Sequence, residues 1–411
     1  MSAPAPPGGE RRGEVDLLRV LVVAGLVLFH SALVFDARDD FYVKNAETTG
    51  LTLVVSVLGV LWAMPLLFYV AGLAARHSLS RRGPARYAAE RLRRIGVPLV
   101  FATVAVVPVP QWLRLRADPA YHESYLEFLP RFFRIELDPA QFPFVLQGEH
   151  FETGHLWFLV LLLTFSLLLA AVARWGPAWR PGERIAALAD RRGAVLLAAL
   201  PLALISALLG LEEEYAGWSR WAYLVFFAYG FAFAADHRFR RALRRDLRLV
   251  AACGLVLFAA GVPVLLGAGD DAFTAATPLA LVGRALYGAA GWCWLLTILG
   301  ALDRPAAPAV PAATAVPGTA SAGRAPVGPG VRRYLAEAVL PLYVLHQPVV
   351  VAVAFWVVRM EAPIAVKYVI IAVVSSALTL LAYDLLVRRT RVTRFLFGMR
   401  TREKAAAAER A

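Results

Sequence analysis

The stretch EVDLLRVLVVAGLVLFHSALVF (residues 14–35) decides how the fold is read. From Leu17 to Phe35 it is apolar apart from Arg19, His30 and Ser31. A helix of that length rises about 28 Å, the thickness of a hydrocarbon core. An ionisable side chain inside such a run is costly and by default marks a functional position. His30 is that side chain, set in the apolar run LVLFHSALVF (26–35).

Composition extends the reading outward. Of 411 residues, 59% are hydrophobic and only 18% charged, and the mean hydropathy is +0.60. Apolar runs at 17–35, 51–75, 95–110, 156–173, 194–211, 221–235, 249–266, 278–302, 334–358 and 362–387 predict an all-α, polytopic membrane protein with about ten transmembrane helices. Of the 43 Lys and Arg, 32 fall in 1–14, 74–94, 174–193, 236–248, 303–333 and 388–411, and eight in the alternate loops. The positive-inside rule then puts both termini in the cytoplasm. Basic loops against anionic headgroups account for the net charge of +13. No nucleic-acid motif accompanies it, so nucleic acid is not an expected partner. The opposite loops gather carboxylates: Asp36, Asp39, Asp40, Glu212 to Glu214, Asp270 and Asp271.

The N-terminal MSAPAPPGGERRGEVD is polar, and no small-residue cleavage site follows the first apolar run, so that run is expected to stay as an anchor. Cys253 and Cys293 both fall in apolar runs and define neither a disulfide frame nor a metal spacing, so no metal is expected. The domain reading is a cytoplasmic tail (1–14), a membrane domain (15–387) and a basic cytoplasmic tail (388–411). Within the membrane domain, 304–330 is rich in Ala, Pro and Gly and reads as a disordered cytoplasmic linker. The loop 111–153 interleaves aromatics with proline and has the make-up of a lid over a site, or of a plain cap on the bundle. No internal repeat is visible.

The polar residues inside the runs sort by depth. Arg19 and His30 are eleven residues apart, which puts them on one helical face about 16 Å apart along the axis. His346, in LPLYVLHQPVVV, lies about as deep from the inner side as His30. Pro341 and Pro348 flank it, free the carbonyls of Glu337 and Val344, and predict a kinked or locally opened helix. His155 and Trp157, in GHLWFLVLL, stand at the outer boundary, where an aromatic belt is the plain explanation. Arg91 and Arg94, at i and i+3 just before Pro98, share a face that suits phosphate, whether of a ligand or of lipid. Arg19 taken alone would snorkel. His77, His122, His150 and His237 read as solvated loop residues.

Five segments in order, EVDLLRVLVVAGLVLFH, AMPLLFYVAGL, AERLRRIGVPL, GHLWFLVLLLT and LPLYVLHQPVVV, with RFLFG at the close, resemble the acyltransferase-3 family of integral-membrane acyltransferases. The branch most resembled is that of the periplasmic glucan succinylation protein. The resemblance implies about ten helices, an arginine–ten–histidine signature matched by Arg19 and His30, and an arginine–two–arginine signature matched by Arg91 and Arg94. Ala71 before Gly72 departs from the small polar residue common there. The activity implied is transfer of an acyl group from cytosolic acyl-CoA, such as acetyl-CoA or succinyl-CoA, to a hydroxyl of an extracytoplasmic glycan or other envelope or secreted acceptor. The cell would be bacterial and the membrane the inner one; no resident cofactor is implied.

On that footing His30 is expected as general base, since a neutral imidazole suits removal of a hydroxyl proton. Arg19 would stand on the donor side, Arg91 and Arg94 would hold the CoA phosphates, and His346 and Tyr343 would position acyl or acceptor group. His155 and Trp157 would shape the outer opening. Three other readings stand beside this one. A secondary transporter predicts repeats and matched broken helices. An acyl carrier across the membrane predicts CoA release without an acylated acceptor. A non-catalytic sensor or assembly subunit makes the histidines structural.

Overall fold

The computed structural model describes residues 13–50, 59–176, 187–269, 271–303 and 329–399. The expected linker and most of both expected tails lie outside these residues. Helices follow in the order α1 (Gly13–Leu33), α2 (Ala63–Arg82), α3 (Pro84–Arg91), α4 (Val97–Ala105), α5 (Pro108–Arg116), α6 (Tyr125–Phe132), α7 (Trp157–Trp175), α8 (Ala199–Leu209), α9 (Arg220–Phe233), α10 (His237–Gly267), α11 (Pro278–Leu302), α12 (Pro329–Val357), α13 (Ile364–Ala382) and α14 (Arg391–Leu396). Among the described residues the only sheet is a two-residue hairpin, Glu136–Leu137 against Leu146–Gln147.

Where they are described, the apolar runs of the sequence fall on helical segments; 51–58 of the second run lies outside the described residues. Among the described residues, six segments are long and apolar enough to cross a membrane: Pro84–Arg116, Gly154–Trp175, His237–Gly267, Pro278–Leu302, Tyr334–Val357 and Ile364–Val387. Leu17–Leu33 and Ala194–Leu209 are shorter apolar helices. α10 starts twelve residues before its apolar run because Asp236 caps it, its carboxylate accepting the Arg238 N–H, and the arginines that follow are good helix formers.

In lipid, helices gain little from hiding apolar surface from one another, so association depends on close packing. α2 and α9 are the clearest case. A Cβ on Gly72 would lie 2.0 Å from the Phe227 carbonyl oxygen, and one on Gly230 only 1.9 Å from that of Tyr69. The AGL segment of α2 is therefore a backbone crossing point, which is the physical use of Gly72 behind Ala71. α11 packs along both α10 and α8, and α12 lies between α1 and α13. This last trio carries His30 and His346.

Among the described residues, one π-helical turn, Leu92–Gly96, interrupts the helical run between α3 and α4, and another, Tyr383–Val387, closes α13. Such turns are rare and cluster at functional places. The chain just after α14 reaches the first turn and α4: Phe397 meets Phe101 of α4 edge-on at 5.4 Å, and the Gly398 carbonyl accepts from Arg94 Nε at 3.3 Å.

Candidate active site

The site begins with a proline. α12 runs unbroken through Pro341 and Pro348, so the opened helix expected there is not seen. Pro348 nonetheless offers no N–H to the carbonyl four residues back, and that carbonyl is Val344. His155 Nε2 lies 3.0 Å from it and, as the only possible donor of the two, carries the proton. The Tyr343 hydroxyl donates in the opposite sense to the His155 carbonyl. The 3-10 turn Gly154–Leu156 is thereby fastened to α12 by a reciprocal pair of bonds.

Two residues beyond Val344, His346 is wholly buried, and its Nδ1 lies 2.6 Å from the Tyr343 carbonyl. A carbonyl only accepts, so Nδ1 holds the hydrogen and Nε2 of the neutral ring keeps the lone pair. That Nε2 is buried without a hydrogen-bond partner. The His346 ring centroid is 5.1 Å from that of His30 and 5.2 Å from that of His155. Three imidazoles from α1, the turn before α7 and α12 therefore stand in a row with His346 at the centre. His30 Nδ1 is likewise buried and unpartnered, and the ring is packed between Phe29 at 5.2 Å and Phe41 at 5.8 Å. Ser31 beside it turns its hydroxyl back to the Val27 carbonyl at 2.7 Å, which satisfies that polar group within the helix.

The His155 end of the row is tied together by residues the sequence did not single out. Tyr42 donates its hydroxyl to Glu152, with the Gln347 side chain beside it. One knot thus joins the chain after α1, the loop before His155 and the residue after His346. Burial raises the Glu152 carboxyl above the ordinary carboxylate range, opposed by the hydrogen bonds from Tyr42 and Gln111 and by nearby Arg114. Gly154 has φ +47° beside this knot, and a Cβ there would lie 3.0 Å from the Tyr42 hydroxyl. Lysines close the C-terminal ends of both histidine-bearing helices: Lys44 Nζ donates to the Leu33 carbonyl at 2.8 Å, and buried Lys367 Nζ to the Val358 carbonyl at 3.1 Å and Asn45 Oδ1 at 2.9 Å. Gln347 and Lys367 carried a sequence signal, being polar residues inside apolar runs. Tyr42 and Glu152, in loops, carried none.

The loop 111–153 folds over this end. Its residues Phe128, Phe132, Phe144 and Phe151 are buried. Phe144 stacks on Tyr215 at 4.7 Å, and Arg114 pairs with Asp40. Trp157 takes no part in the row; its ring faces Tyr223 at 5.3 Å and Tyr215 at 5.7 Å.

Arg19 lies eleven residues along unbroken α1 from His30, so their separation of about 16 Å stands. Arg91 and Arg94 flank the start of the π turn. Arg91 spreads its guanidinium over the Tyr87 ring at 4.9 Å and keeps a buried Nε without a hydrogen-bond partner. Arg94 faces Glu90 at 3.6 Å and the Gly398 carbonyl. The simple i, i+3 α-helical face expected of the pair is therefore altered by the π turn. Among the described residues no group of three or more His, Cys, Asp or Glu side chains converges as a metal site would require.

The family model described as an acyltransferase domain, of the acyltransferase-3 type, matches residues 12–387. No curated protein and no solved structure matches the chain.

Proposed function

Since the chain belongs to the acyltransferase-3 family, we propose that it is a multi-pass O-acyltransferase of a bacterial inner membrane, with ten spans and both termini cytoplasmic. It takes an acyl group from cytosolic acyl-CoA and passes it to a hydroxyl of an extracytoplasmic glycan or similar envelope or secreted acceptor. The observation that carries this reading is the imidazole row. Hydroxyl oxygen is a poor nucleophile until a base takes its proton, and neutral imidazole is the usual side chain for that task. Two nitrogens of the row, on His30 and His346, are buried and unpartnered, as bases waiting for a substrate hydroxyl would be.

In this reading His30 belongs to the base and shares its helix with Arg19 on the donor side. Arg91 and Arg94 hold the CoA phosphates, and the uncommitted Nε of Arg91 supports that role. His346 and Tyr343 position the reacting groups, while His155 shapes the outer opening. Trp157 acts at one remove through its aromatic cluster. Glucan acylation, with acetyl or succinyl as the group moved, follows the branch the sequence resembles.

The test is mass spectrometry of envelope glycans and extracted small molecules from cells expressing the wild-type chain or His30→Ala at matched membrane abundance. An acyl mass increment is expected with wild type and a loss of about 100-fold or more with the variant. No increment from abundant wild-type protein overturns the enzyme reading, and an equal increment from both removes His30 from the base.

A further inference from the structure

The reading above assigns the base to a row of three imidazoles, and the three are not equivalent. A base that works on a bound hydroxyl must present its lone pair in a fixed direction, which in known base–nucleophile pairs is achieved by a third group holding the ring's other nitrogen. His346 has such a group, the Tyr343 carbonyl 2.6 Å from Nδ1. His155 has its Nε2 committed to the Val344 carbonyl at 3.0 Å, which leaves only Nδ1, the nitrogen next to its own main chain. His30 has no partner for its Nδ1, so no bond to that nitrogen sets its tautomer.

Energetics point the same way. A buried acceptor without a donor is destabilising, and native structures hold few of them. His346 Nε2 is one, in a side chain with no exposed surface, on a helix whose neighbouring carbonyls are used to orient two imidazoles.

We infer, on the strength of the acyltransferase reading, that His346 Nε2 is the atom that first takes the proton of the acceptor hydroxyl. The O–H bond breaks toward Nε2 as the oxygen's electron pair forms the C–O bond at the thioester carbonyl carbon. Collapse breaks the C–S bond, and the electron pair leaves on the CoA sulfur. The proton then passes from His346 to that sulfur, directly or by way of His30, giving the CoA thiol and restoring the neutral ring. Tyr343 is a positioning residue here, acting through its carbonyl.

The experiment compares acyl product by mass spectrometry in cells expressing the full chain as wild type, His346→Asn, His346→Ala or His30→Ala, at matched membrane abundance and with or without added imidazole. Asparagine keeps an amide N–H for the Tyr343 carbonyl and removes Nε2. The expected result is a loss of about 100-fold or more in His346→Asn. In His346→Ala, imidazole in the medium should restore product in proportion to its concentration, whereas His30→Ala should stay unrestored. Wild-type product from His346→Asn overturns the inference and leaves the acyltransferase reading intact. So does a His346→Ala chain that imidazole fails to restore, because a merely structural histidine gives that outcome. If His346→Asn does not accumulate, the imidazole response of His346→Ala decides alone. A wild-type chain that yields no acyl product overturns both readings.

Discussion

Two buried polar regions of this molecule have opposite accounting. At the base of α10, Asp246 is 1% exposed, yet it accepts from Arg245 at 2.8 and 2.9 Å and from the Gly193 N–H at 2.9 Å. Arg245 spends its other donors on the carbonyls of Ala189, Asp190 and Arg191. In the imidazole row, by contrast, His346 Nε2 and His30 Nδ1 have no partner. A saturated network fixes one chain segment against another and has nothing left to offer a ligand. An unsaturated one loses stability in the empty state and recovers it when a donor arrives. The first region therefore reads as structure and the second as chemistry.

That division can be broken. The largest effect on folding is expected at neither region but at the α2–α9 crossing. Gly230→Val would set a Cβ 1.9 Å from the Tyr69 carbonyl oxygen, and backbone cannot yield there as a side chain can. Membrane-integrated protein should fall below detection by immunoblot; normal accumulation would mean that the two helices do not cross this closely.

Asp246→Ala comes next. Removing a charged acceptor from under Arg245 and Gly193 should cost roughly 2–3 kcal/mol. The thermal midpoint in detergent should drop while acyl product per folded molecule stays at the wild-type level. A fall in product per molecule would show that the saturated network also serves the reaction and would end the division drawn above.

The smallest effect is expected from Glu152→Gln, which sharpens the comparison because the Tyr42 knot borders the row. The Glu152 carboxyl is raised by burial above its ordinary value, so the folded state favours its protonated form. Stability from this group is therefore fully present at low pH and lost as pH rises from the ordinary glutamate value through the raised one. Glutamine keeps an acceptor for Tyr42 and removes the titration. Hydrogen exchange in 36–50 and 111–153 should grow with rising pH beyond the intrinsic rate in the wild type and lose that excess in the variant. An unchanged pH profile would place the carboxyl's proton outside the energetics of the cap.

The helices were legible because the bilayer imposes a coarse rule on long segments: apolar runs of sufficient length become helices whatever their detailed packing. The equal depth of His30 and His346 was legible for the same reason, since rise per residue is fixed. The carbonyl freed by Pro348 could be named as that of Val344. Its occupant could not, because His155 lies 189 residues earlier and reaches it only through the packing of the turn before α7 on α12. The π turn at Leu92–Gly96 was hidden for a related reason. It lies beside the Gly398 carbonyl, some three hundred residues later in the chain, and local spacing of Arg91 and Arg94 carries no trace of that contact. Tyr42 and Glu152 lie in loops, where no period separates a functional polar residue from a solvated one.

Pro348 has a consequence that reaches past packing. By withholding an amide hydrogen from Val344 it recruits one from His155, and so decides which nitrogen of that ring is left bare. Two positions later than His346 in the chain, a residue with no hydrogen of its own to give dictates where a neighbour keeps its hydrogen. In this molecule the distribution of protons in an apolar interior is inherited from the covalent chemistry of the backbone.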